Sequence, residues 1–211
     1  AWLHGWADNP SAVHCSSLVV GSDATGRMDL LGRGGEVHVS GETTVGMGPD
    51  SHGSIRFKND GGTYPGGGKL LLSGSLSVGM FGEGSITVYE GGTLKTKDCD
   101  IGQMSGSDGT VSVYDTGSEW TADGAVVVGQ FGKGWMMAEA GGAVTTGNVI
   151  AGDYIGSEGT IRVSKGSTVS VDWLTVGRKS RGSVFVLTGG KMTVGQGLQL
   201  GSDEGGYGAM T

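Results

Sequence analysis

Between Leu174 and Leu200 the chain reads LTVGRKSRGSVFVLTGGKMTVGQGLQL, and apolar side chains fall on alternate positions in three short runs. Leu174 and Val176 bracket Thr175 and end at Gly177. Val184 and Val186 bracket Phe185 after Gly182, and Met192 and Val194 bracket Thr193 after the pair Gly189-Gly190. A period of two marks a strand with one buried face. Leu198-Gln199-Leu200-Gly201 then restarts the unit 24 positions after Gly177, and a repeat of that size predicts a solenoid.

The unit recurs along the chain. An anchor glycine closes the first run at Gly21, Gly46, Gly79, Gly102, Gly129, Gly152, Gly177 and Gly201. A second glycine opens the next run, from Gly26 and Gly53 through to Gly182, and a Gly-Gly or Gly-Ser pair precedes the third. Aligned on these markers, the columns are apolar at alternate positions: Leu76, Cys99 and Val126 in the first run, Ile55, Ile86 and Val111 in the second. Val37, Tyr64, Leu94 and Trp120 form the third. The long step from Gly46 to Gly79 is read as an insertion at about 64–72. One coil cannot bury its own apolar teeth, but stacked coils can. The expected fold is therefore all-β, a right-handed parallel β-helix with three short strands per coil and seven to eight coils of roughly 24 residues. At about 4.8 Å per coil the rod would be about 38 Å long. Residues 1–17 do not fit the repeat and are expected to form an N-terminal cap or docking arm. Residues 18–211 form a single solenoid domain whose last coil is incomplete.

Composition sharpens this reading. Glycine accounts for 46 of 211 residues without a three-residue period, which excludes collagen, and 36% hydrophobic content argues against a disordered linker. A net charge of −7, with no basic run longer than Arg178-Lys179, argues against a nucleic-acid groove or an anionic membrane surface. No apolar run approaches the roughly 20 residues that span a bilayer, so membrane insertion is not expected. Cys99 falls in a core column and Cys15 about three coils away, or ~14 Å. A disulfide needs α-carbons within ~7 Å, so two free thiols are expected.

The segment from Val78-Gly79 through Gly84-Ser-Ile-Thr-Val88 to Gly91-Gly92-Thr-Leu94 resembles the repeats of bacterial autotransporter passengers and of proteins with PEP-CTERM sorting signals. Gly109 to Trp120, with Gly117-Ser118-Glu-Trp120, is similar to a variant of the same repeat. The resemblance spans about residues 18–201. It implies a right-handed β-helix that is exported and displayed outside the cell or at the bacterial surface. The chain lacks the translocator barrel of a full autotransporter, so it reads as a passenger piece or a stand-alone relative.

Phe81, Met104, Phe131 and Tyr154 occupy the second position after the anchor glycine in four successive coils. They form either a stripe that binds a glycan or a host surface protein, or a ladder that shields the core edge. Glu83, Asp108, Lys133, Glu158 and Arg181 form a charge column expected to be a solvated ladder. Asp98, Asp100 and Asp123 suggest the acids of polysaccharide-cleaving enzymes, but no Lys, Arg or His aligns beside them, so no catalytic residue is assigned. His4, His14, His38 and His52 follow no ligand spacing, and neither a metal nor a cofactor is expected.

The chain stops within its eighth copy, where Leu198, Leu200, Tyr207 and Met210 would leave apolar surface open. Trp2, Leu3 and Trp6 are candidate plugs for that end in a neighbouring molecule. A head-to-tail contact of this kind does not close and makes a filament. The expected partner is therefore the chain itself or the rest of a longer passenger. The expected function is non-enzymatic: a rigid extracellular stalk or filament. Adhesion to a glycan or host protein is the alternative, and polysaccharide cleavage a distant third.

Overall fold

The computed structural model describes residues 2–3, 12–31, 35–58 and 67–211 of the chain. They form a right-handed parallel β-solenoid, and all strand pairs among them are parallel. Second-run strands stack into a nine-stranded sheet, running from Trp2–Leu3 to Tyr207–Met210. In it Gly26, Gly53, Gly84, Gly109, Gly134, Gly159, Gly182 and Gly208 lie opposite one another without a slip. Ile55, Ile86, Val111 and Ile161, two residues on, are 0% exposed. Each such side chain contributes roughly 1.5–3 kcal/mol by leaving water.

First and third runs share the other sheet. In the third coil they are separate strands, Thr93–Thr96 and Cys99–Ile101. From the fourth coil onward they fuse into long bent strands, Glu119–Val128, Ala143–Ala151, Thr168–Val176 and Lys191–Leu200. The expected three strands per coil thus become two sheets, one of which covers two faces. At this corner Asp98 Oδ1 accepts from the Ala125 amide at 3.0 Å, and the Gly124 amide donates to Lys97 O at 2.8 Å. The pairing carries an irregularity between Ala122 and Ala125 and then resumes.

Two expectations are corrected. Ala12–Cys15 is a strand of the stack, with Val13 opposite Val37, and Trp2–Leu3 pairs with Asp29 and Leu30. The repeat therefore extends into residues 1–17, disguised by one exposed strand whose alternation is weak. In the second coil the third column is filled by Leu70, paired with Val37 and Leu94, and not by Tyr64. Lys69–Leu72 is a regular strand, with Leu70 and Leu72 buried, so it does not belong to the insertion. Tyr64 lies outside the described residues.

The coils are locked at one carbonyl. Ile101 O accepts from the amide of Gly129, the next anchor, at 2.7 Å. A Cβ on Gly134, which opens the following strand, would sit 2.5 Å from that same oxygen and also against the Gly129 nitrogen. The arrangement recurs with Val45 O, Gly79 and Gly84, and with Val128 O, Gly152 and Gly159. Only an absent side chain lets coil pack on coil there. Gly134→Ala is therefore expected to cost roughly 1–3 kcal/mol or more. Gly147 has ordinary φ and nothing nearer its Cβ site than Gly124 O at 3.5 Å. Gly147→Ala should stabilise by about 0.5 kcal/mol through the unfolded chain. Urea midpoints of the two variants check the pair. Trp120, 1% exposed with Nε1 donating to Thr96 Oγ1 at 3.2 Å, fills the third column. Trp120→Ala is expected to cost about 3–5 kcal/mol.

Candidate functional site

One corner of the rod, between first and second runs, is built on an alternating plan. Coils one, three, five and seven turn in four residues, 21–24, 79–82, 129–132 and 177–180. Coils two, four, six and eight turn in six, 46–51, 102–107, 152–157 and 201–206. Three of the long turns carry a second positive-φ glycine beyond the anchor, Gly106, Gly156 and Gly205. At Met104–Ser107 the Ser107 amide donates to Met104 O at 3.0 Å, and a Cβ on Gly106 would meet nothing within 4 Å. The loop tip therefore stands clear of the rod. The short turns tuck beneath: Gly132 has Met104 O and Ser107 Oγ each 2.5 Å from its Cβ site. In the seventh coil Ser180 Oγ donates to Ser157 O at 2.6 Å. The outcome is a row of notches, each floored by a short turn and walled by the long turns on either side. The anchor-to-opening step alternates between five residues (Gly79 to Gly84) and seven (Gly102 to Gly109), so this signal was present in the sequence.

Phe81, Met104, Phe131 and Tyr154 do line this corner. The Phe131 and Tyr154 rings stack at 4.2 Å with a 10° interplanar angle. Arg178 lies 5.4 Å, and Lys179 Nζ 5.7 Å, from the Tyr154 ring centroid. Phe131 and Tyr154 turn one face each to the other and the two cations lie near the Tyr154 ring, while Phe131 remains 40% exposed and Phe81 43%. Sugar rings stack on aromatic faces, so the geometry favours a shielding ladder over a sugar platform at Tyr154.

The charge column is in register through Glu83, Asp108, Lys133, Glu158 and Arg181, with His52 before it and Tyr207 after. Glu83 faces Asp108 with like charge and pairs with His52 at 3.1 Å. Burial raises the Asp108 carboxyl above its ordinary range; Lys133 opposes this and Glu83 adds to it.

Five further acids have structural partners. Lys95 pairs with Asp123 at 3.2 Å, which corrects the expectation that no cation stands near these carboxylates. Lys95 belongs to the outward face of the third run, which alignment on the first run did not bring into view. Asp98 receives the Ala125 amide, and Asp100 Oδ2 accepts from Gln103 Nε2 at 3.3 Å. Burial, then Asp98 and Asp153, raise the Asp100 carboxyl. Asp153, 3% exposed, forms an ion pair with Arg178, and burial raises it against that cation. Glu139 is held by Arg162 at 3.2 Å and Lys165 at 3.5 Å.

His14 and His38 stack at 4.5 Å on adjacent strands, and His38 Nε2 meets Glu36 Oε2 at 3.1 Å. Among the described residues no group of three or more His, Cys, Asp or Glu is placed to hold a metal ion, and no helix is long and apolar enough to cross a membrane. Cys15 and Cys99 are both free, as expected. Burial pushes the Cys99 thiol well up, with Asp100 and Asp98 adding to the effect.

At the C-terminal end Leu198, Leu200, Tyr207 and Met210 are 46%, 49%, 61% and 40% exposed. Trp2–Leu3 pairs along its backbone with Asp29 and Leu30 of the first coil and forms the end strand of its sheet, at the N-terminal end where the assembly contact was expected. Trp6 lies outside the described residues. Comparison with protein-family models, curated proteins and solved structures finds no match to this chain.

Two outcomes are expected. Asp100 has a folded pKa above its unfolded one, so stability falls as pH rises from the ordinary carboxylate value of about 3.9 through the raised value. Asp100→Asn should raise Tm at pH 7, and the gain should vanish below about pH 4. Native alkylation followed by mass measurement should label Cys15, which is partly exposed, before Cys99, which reacts only on unfolding.

Proposed function

We propose that the chain is a non-enzymatic structural β-solenoid, a stiff rod that serves as a surface stalk or head-to-tail filament. The observation that carries this reading is the uninterrupted register of the opening-glycine column from Gly26 to Gly208. A stack with no slip is stiff along its axis, because bending it would break ladder hydrogen bonds in both sheets. Export and display at the bacterial surface follow from the resemblance of the repeats to autotransporter passengers and PEP-CTERM-associated proteins.

End-to-end growth has a defined chemistry. Lys191–Leu200 and Tyr207–Met210 present open strand edges beside the exposed Leu198, Leu200 and Met210. Strand edges pair readily with another chain. The matching face is the N-terminal strands Trp2–Leu3 and Ala12–Cys15, acting as sheet edges. The occupant of the C-terminal edge is a second copy or, in a longer passenger, the coils that follow.

Negative-stain imaging and light scattering across a concentration series test the filament. Rods that lengthen with concentration, and that Leu198→Lys with Leu200→Lys reduces to single units of unchanged circular dichroism, are the expected result. A monomer at every concentration would contradict end-to-end assembly.

A further inference from the structure

The outward face of the nine-stranded sheet carries two aromatic rings that the packing of the rod does not use. In the strand Lys133–Glu139 the residues Gly134, Met136 and Ala138 point inward, so Trp135 stands on the outer face. Phe185 does the same in the strand Arg181–Val186, two coils on. Trp135 is 41% exposed and Phe185 39%. Among the described residues no other ring and no cation lies on either of them, in contrast to Tyr154. The indole N–H is idle as well. Trp120 donates to Thr96 and Trp173 to Gln196, but Trp135 Nε1 has no partner among the described residues. Between the two rings lie Thr160 and Ser183, in register with Trp135, and Arg162, in register with Phe185. Glu139 neutralises Arg162 at 3.2 Å, so the strip is polar without net charge. No turn stands on this face between the rings, because the strands of the fifth, sixth and seventh coils run through it unbroken.

Size and spacing name the occupant. An aromatic side chain carries about 150–250 Å², so exposures of 41% and 39% leave about 60–100 Å² on each ring. A stable protein interface buries about 800 Å² per partner, so this patch is too small for a second protein and suits a thin chain. Trp135 and Phe185 are two coils apart along the axis and two residues apart along the strand. At about 4.8 Å per coil and about 3.3 Å per residue, their α-carbons lie about 12 Å from each other. That is close to the two-sugar repeat of an extended β-1,4-linked glycan, in which sugars two apart present the same face. We propose that Trp135 and Phe185 form a binding platform for a neutral, extended β-1,4-linked glycan lying diagonally across the fifth to seventh coils. One sugar stacks its apolar C–H face on Trp135, and the sugar two further on stacks on Phe185. The sugar between them lies over the flat strip, where its hydroxyls meet Thr160, Ser183 and the Arg162–Glu139 pair. Trp135 Nε1 donates to a rim hydroxyl. With no unpaired charge between the rings, the strip suits a neutral chain and gives a polyanion nothing to hold. The platform is independent of end-to-end assembly and operates on a single rod.

The test is calorimetric titration of the full chain with cellohexaose, and with maltohexaose, whose α-1,4 links curl the chain. Saturable binding of cellohexaose that added salt leaves unchanged is expected, with maltohexaose weaker on the order of tenfold. Trp135→Ala and Phe185→Ala should each weaken cellohexaose binding on the order of tenfold, while Trp135→Phe, which keeps a ring, retains most of it. Trp173→Ala, which removes an exposed tryptophan of the other sheet, should leave it unchanged. Circular dichroism checks that the variants keep the fold. Absence of cellohexaose binding, equal binding of maltohexaose, or a Trp173→Ala loss as large as the others would overturn the proposal. So would a dimer in light scattering that Trp135→Ala abolishes, because the face would then belong to a second copy.

Discussion

The structure depends on a single close approach. In successive coils the carbonyl just before the anchor glycine accepts the next anchor's amide and presses against the glycine that opens the next strand. Ile101 O does so for Gly129 and Gly134, and Val128 O for Gly152 and Gly159. A side chain at the opening position would push the coils apart. A slip by one residue would turn the valine and isoleucine columns outward. The two glycines of each coil thereby set pitch and register together, and the buried columns follow from them.

With the pitch fixed, the outer surface becomes a ruler. Side chains in one column repeat at the strand spacing, and any variation in turn length repeats with them. The alternation of four- and six-residue turns converts a uniform ladder into notches at every second coil. Large side chains at this corner are spent on one another: Phe131 lies on Tyr154, with Arg178 and Lys179 on the Tyr154 ring.

Most of the fold was legible because glycine markers and period-two alternation report the same backbone events. Leu76, Cys99 and Val126 were placed in one column from spacing alone, and they pair in that order. The failures have local causes. Tyr64 was assigned to a column held by Leu70 because counting from a glycine pair ignores an insertion that follows it. Ala12–Cys15 escaped notice because its side chains are mostly exposed, so the buried half of the alternation is missing. At the corner, residue type left a binding stripe and a shielding ladder both open, because the direction of the ring faces is tertiary information that no column alignment carries. The five-versus-seven alternation was in plain view in the glycine positions. It lay hidden behind the larger 24-residue period, which an average over coils preserves while erasing its two-coil modulation.

The in-register stack is tested most directly by distances between spin labels on the outward face of the glycine-anchored sheet. A label at Ser54, in the second coil, is paired in turn with labels at Thr160, Ser183 and Ala209, in the sixth, seventh and eighth. Backbone separations of about 19, 24 and 29 Å, rising by one strand spacing per coil, are the predicted result. Distances that fail to rise by a constant step, or that spread broadly at each pair, would contradict the stack and everything built on it.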